Sequence, residues 1–177
     1  MRAGRDWAHR PASAPQRANA SRSLVTRPVL FCFDGSDGSL RALRDGGALL
    51  APRAAVVLTV WEAVATQIVA SGGFAFSYVP DEETFDAQEE AAAREAAERG
   101  VAIAHDHGWR ATARVENARV SVWQTVVAVA DEIDASLIVC GARGRNALKR
   151  AMLGSTAEAV LHHSHRPALI APVPSVT

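Results

Sequence analysis

The stretch Ser136-Leu-Ile-Val-Cys-Gly141-Ala-Arg-Gly144, resumed nine residues later by Gly154-Ser-Thr156, decides how the rest of the chain reads. An apolar run of strand length comes first, then a glycine-punctuated loop, then a helical segment from about 155 to 164. That order is what a phosphate site requires. Glycines let a backbone turn tightly and approach a ligand with no Cβ in the way. The start of a helix offers N–H groups without intrahelical partners and the positive end of its dipole, both suited to an anion. Ser155 and Thr156 add hydroxyls where the helix begins.

Working outward, Val29-Leu-Phe-Cys-Phe33 is another continuous apolar run, of the kind found in parallel strands buried on both faces. Asp34-Gly-Ser-Asp-Gly38 turns the chain, and Ser36 or Ser39 can cap a helix over 39–51 that Pro52 ends. Residues 54–61 form a second apolar strand. Residues 62–80 read as a long connection, and a loop of that length is usually functional. Asp81 can cap a helix whose acidic first turns suit the dipole and whose alanines carry it to about His107, where Gly108 stops it. Residues 109–116 alternate apolar and polar, as a strand at a sheet's rim does. Residues 121–134 are β-branched, yet Val122, Val126, Val129 and Ile133 keep the spacing of a helix. After the glycine loop and its helix, Arg166-Pro167 lead into a last strand over 168–173.

Strands and helices thus alternate throughout, which predicts an α/β fold: a mostly parallel five-stranded sheet with helices on both faces. Ligands of such sheets sit outside the carboxyl ends of the strands, where strand order reverses. If the first and fourth strands are neighbours, Asp34 and Gly141 point into one crevice.

Composition narrows the partners. Residues 1–27 hold six arginines against one acid, leaving 13 basic and 18 acidic residues in the remainder. An acidic body argues against nucleic acid, whose affinity rests on phosphate contacts. No apolar run approaches the roughly 20 residues that span a bilayer, and a cytoplasmic location is expected. Residues 1–27 carry prolines and no apolar periodicity, so they read as a disordered extension, with 28–177 as the single domain. Cys32 and Cys140 would be adjacent if the first and fourth strands are neighbours; two core thiols are the simpler reading and a redox pair the other. The histidines at 105, 107, 162, 163 and 165 lie near helix ends, where they satisfy late carbonyls, and no metal site is read from them.

From Pro28 to Val173 the chain resembles a universal stress protein domain. The resemblance rests on Val29–Ser36 with its Asp-Gly-Ser, on Ala135–Arg145 with its glycine loop, and on Gly154-Ser155, completing Gly-x2-Gly-x9-Gly-Ser. It implies strand order 3-2-1-4-5 and the ATP-binding branch of the family, with Mg²⁺ accompanying the nucleotide. By position, Asp34 would contact the nucleoside and Val60 the adenine through its backbone. Gly141, Arg143, Gly144, Gly154, Ser155 and Thr156 would line ribose and phosphates. A homodimer through the last strand is also implied. The sequence departs from the family pattern at Ala142 and Asn146, and Lys149, the chain's only lysine, has no family role.

The loop is not a Walker A sequence, which needs Gly-Lys-Ser/Thr, nor a dinucleotide fingerprint. Ser71-Gly-Gly-Phe74 is similar to the loop of ATP-pyrophosphatases but follows the wrong strand. No nucleophile, base and orienting group stand together in the sequence. The function expected is therefore a nucleotide-dependent stress-response module without efficient catalysis. An ATP-using hydrolase or transferase on the same fold is the rival, and a ligand-free structural dimer the third reading.

Overall fold

The computed structural model describes residues 26–63, 82–144 and 153–172. In chain order the elements are β1 (Val29–Cys32), α1 (Asp37–Arg41, continued by a π-helical turn Ala42–Gly46), β2 (Ala54–Trp61) and α2 (Glu82–Asp106). They are followed by β3 (Arg110–Asn117), α3 (Val122–Glu132), β4 (Leu137–Gly141), α4 (Ser155–His163) and β5 (Ala168–Ala171). All strands are parallel, in the order β3-β2-β1-β4-β5.

Strand runs that are apolar on both faces require cover on both sides, and each face has its own core. Val29, Phe31, Phe33, Val57 and Val139 pack beneath α1 and α2. Leu30, Leu58, Ile138 and Cys140 pack with Val126, Val129 and Ala130 of α3 and Val160 of α4. Chain direction along the sheet therefore reverses between β1 and β4. Their carboxyl ends are the place where such a sheet leaves a crevice.

Small residues set how closely α2 lies on the sheet. Its buried stripe is Ala93, Ala96, Ala97, Gly100 and Ala104. A Cβ on Gly100 would come within 2.7 Å of Val57 Cγ1 and 3.0 Å of Phe33 Cδ1. Gly108, at φ +82°, ends the helix as the sequence suggests, a left-handed position that glycine occupies without strain. Trp109 then folds its buried ring edge-on against Phe31, at 5.0 Å between centroids.

Two local expectations need revision. The first helix begins at Asp37 under a Ser36 cap, whose Oγ accepts from the Ser39 amide, and it widens into the π turn. Gly46 lies in that turn, where a Cβ would stand 3.0 Å from Leu169 and 3.2 Å from Val139. The missing side chain is what lets the widened turn lie against β4 and β5. On β3, the alternation holds for buried Trp109 and Ala111, but Ala113 is exposed. An edge strand has a neighbour on one side only, and a methyl group is too short to be sealed there. The 62–80 connection beyond Ala63, the Asp81 cap, the Ser71–Phe74 loop, Asn146 and Lys149 lie outside the described residues, as do residues 1–25.

The opposite end of the sheet is closed by charge. Arg166 pairs with Asp131 and Asp134, and Arg27 pairs with Asp134 at 2.9 Å. Ser136 donates its amide to the Pro28 carbonyl at 2.9 Å. His107 Nδ1 lies 2.8 Å from the late α2 carbonyl of Ile103, whereas His105 Nε2 lies 3.1 Å from the Ala111 carbonyl on β3.

Candidate functional site

Three segments meet at the carboxyl ends of β1 and β4. The first is the Asp34–Ser36 turn. Asp34 Oδ1 accepts from the Ser36 amide at 3.0 Å and from its hydroxyl at 2.6 Å. The Asp34 amide donates to Ser39 Oγ at 3.3 Å. These bonds curl the turn and start α1, with Gly35 at φ +77° taking the left-handed position. Thr59 Oγ1 donates to the Phe33 carbonyl at 2.7 Å and fixes the end of β1 against β2. Asp34 is therefore a held side chain on a braced loop.

The second segment is Gly141–Gly144. A Cβ on Gly141 would fall 2.4 Å from the Gly38 carbonyl carbon, and one on Gly38 would fall 2.1 Å from the Arg143 carbonyl oxygen. A Cβ on Gly144 would reach 2.7 Å from Asp34 Oδ2. These glycines let two loops pack backbone to backbone. Sequence reasoning assigned Gly141 and Gly144 to tight turning and ligand approach; the structure adds a packing requirement that only tertiary contact shows.

The third segment is the start of α4. The Gly154 amide donates to the Ala142 carbonyl at 2.7 Å, and the Ala142 amide donates to Ala171 at 2.8 Å. One strand end thus carries both sides of the loop. Gly154 is the N-cap and supplies no side-chain cap bond. Glu158 is the first residue of α4 to bond back, to the Gly154 carbonyl at 2.9 Å, so the amides of Ser155, Thr156 and Ala157 lie in the turn where helix donors have no intrahelical acceptor. Ser155 is exposed and Thr156 half-buried.

Of the residues singled out in the sequence, Asp34, Gly141, Arg143, Gly144 and Gly154 are joined by these contacts, and Ser155 and Thr156 follow directly. Val60 stands apart from that chain, half-buried one residue before the end of β2 and opposite Glu116 on β3. The residue that sequence reasoning missed as a partner is Gly38. Its signal was present in Asp34-Gly-Ser-Asp-Gly38, where the second glycine read only as a turn former. Arg99 is a further unpredicted neighbour: its Nη2 would stand 3.4 Å from a Cβ on Gly35, while Nη1 pairs with Glu95.

The family comparison covers nearly the whole described body: the model of the universal stress protein family matches residues 26–172. The chain belongs to that family. Solved structures agree on the fold. A universal stress protein family member from Burkholderia pseudomallei is 22% identical with a TM-score of 0.63, covering 85% of this chain and 98% of its own. A universal stress protein in complex with cAMP is 22% identical with a TM-score of 0.57, covering 83% and 97%. The universal stress protein from Archaeoglobus fulgidus in complex with dAMP is 21% identical with a TM-score of 0.51, covering 82% and 98%. Comparison with curated protein sequences returned no match.

In this universal stress protein the described residues hold no group of three or more His, Cys, Asp or Glu side chains able to grip a metal ion. No helix among them is long and apolar enough to cross a membrane.

Proposed function

We propose that this universal stress protein binds an adenine nucleotide, with ATP as the principal ligand, in the crevice between the Asp34 turn, the Gly141–Gly144 loop and the start of α4. The observation that carries the reading is the hydrogen bond from Gly154 to Ala142 beside the Asp34–Gly144 contact. It brings a carboxylate and an uncapped helix start to one strand end. Phosphates at α4 would meet amide donors and a favourable dipole, with the Ser155 and Thr156 hydroxyls beside them. Asp34 would accept from the sugar, and the backbone of Val60 would meet the base. The cAMP and dAMP complexes of the related proteins support an adenine ligand.

The donor set fits Mg²⁺ as a companion of the phosphates. With no metal cage among the described residues, a phosphate-held ion would complete its shell with hydroxyls and water. Its chemistry would be charge neutralisation. The chain's own groups bind and orient, and the Asp34 carboxylate that accepts from the Ser36 hydroxyl is engaged in curling its turn, so we assign a regulatory binding module in the cytoplasm, dimeric through β5. Nucleotide-dependent stabilisation tests the reading. Ligand at about 100 times its Kd adds about 2.7 kcal/mol, which at this chain length raises Tm by about 5–10 °C. Thermal melts with ATP, AMP and cAMP, each with and without Mg²⁺, should show such a rise for at least one. A flat panel would reject the assignment.

A further inference from the structure

Cys32 is the last residue of β1, and Cys140 is the penultimate residue of β4. The two strands are hydrogen-bonded neighbours with Phe31 opposite Val139, so the next step of the register sets Cys32 opposite Cys140. Both point to the α3/α4 face, and both are free thiols, Cys140 buried and Cys32 partly exposed. Opposed residues on neighbouring strands lie about 4.8 Å apart, inside the Cα window of about 4.4–6.8 Å that a disulfide accepts. The β1–β4 pairing ends at Phe31 and Val139. Beyond it Cys32 stays in register with Leu58 of β2 and Cys140 with Ile170 of β5, so the two thiols are held on adjoining strands.

We propose that Cys32 and Cys140 form a reversible intramolecular disulfide at the floor of the crevice. Their positions give the bond a consequence. Cys32 lies two residues before Asp34, and Cys140 immediately precedes Gly141. A covalent tie at that level fixes the spacing of the two loops that meet above it. This consequence rests on the crevice being the nucleotide site; the disulfide itself does not.

The oxidant is hydrogen peroxide. Cys32 Sγ, the more exposed, attacks the O–O bond as thiolate; an S–O bond forms, O–O breaks, and the released hydroxide takes a proton to leave as water. Cys140 Sγ then attacks the sulfenic sulfur; S–S forms, S–O breaks, and a second water leaves with the Cys140 proton. Two electrons pass from the thiols to the peroxide, and a dithiol reductant reverses the change by exchange. The Cys140 thiol hydrogen-bonded beside it, burial and the Asp34 charge hold the Cys32 thiol well above its usual range. Cys32 therefore rests protonated at neutral pH, and closure is slow and stoichiometric.

The test is intact mass spectrometry of the full chain after hydrogen peroxide, with iodoacetamide labelling in denaturant. The expected product is monomeric, about 2 Da lighter by loss of two hydrogens, unlabelled, and restored to two labels by dithiothreitol. Cys32→Ser and Cys140→Ser should each abolish that product. Two labels retained in the oxidised wild type, oxygen adducts without the lighter species, or a disulfide between chains would overturn the proposal. Titration of ATP into the reduced and oxidised protein then reads the coupling: a Kd changed about tenfold or more supports it. Equal Kd values would refute control of the site while leaving the disulfide, and absence of binding to both forms would refute the nucleotide reading instead.

Discussion

At the scale of single residues, the glycines of the crevice divide by what their missing Cβ would meet. At Gly141 the obstacle is the backbone of Gly38 and Ser39, at 2.4–2.8 Å, and backbone in a braced turn has nowhere to go. Gly141→Ala should therefore cost stability at or above the upper end of the about 1–3 kcal/mol typical of overpacking, read as a lower urea midpoint at unchanged m-value. Gly100→Ala belongs to the same class, meeting Val57 and Phe33 side chains that can yield, and should cost about 1–3 kcal/mol. Gly154 differs: its nearest neighbours would be the Ala142 oxygen at 3.2 Å and the Arg143 Cα at 3.4 Å. Gly154→Leu should leave a folded protein and fill the space in front of the helix amides. The sequence showed where the glycines are and which chemistry suits them. That Gly38 and Gly141 need each other depends on β1 and β4 being neighbours, and no local pattern encodes that.

Among elements, periodicity was decisive where propensity misled. Residues 121–134 are rich in β-branched side chains, yet Val126 and Val129 are buried on one face of α3 as the 3–4 spacing predicts. Ser121 caps that helix through the Gln124 amide, and Ser121→Ala should cost about 1 kcal/mol in denaturant unfolding. The π turn after α1 was not legible, because its cause is the close approach of Gly46 to Leu169 and Val139 on distant strands. At the far end of α3, Arg166 hydrogen-bonded to Asp134, with help from Arg27, holds the Asp134 carboxyl below its usual range. A carboxylate lowered by folding contributes stability above its ordinary titration range and loses it as pH falls through the folded value. Acid unfolding should therefore steepen below the usual carboxylate range, and Asp134→Asn should flatten that part of the profile. An unchanged acid limb would show that this exposed cluster contributes nothing.

For the whole molecule, the alternation of strands and helices was enough to foresee a parallel sheet with two covered faces, and the family resemblance supplied the order β3-β2-β1-β4-β5 that the structure has. That order is also what places Asp34 beside Gly144, and Cys32 beside Cys140. The chemistry behind the roles proposed for the crevice residues, a carboxylate and an anion-suited helix start, was readable in the sequence. Their convergence was readable only as a consequence of strand order. The most direct measurement is isothermal titration of ATP with Mg²⁺ into the wild type and into Gly154→Leu. The account predicts saturable 1:1 heat for the wild type and its loss in the variant, with the variant still folded by circular dichroism. Equal affinity in the two proteins, or no heat in the wild type, would contradict it.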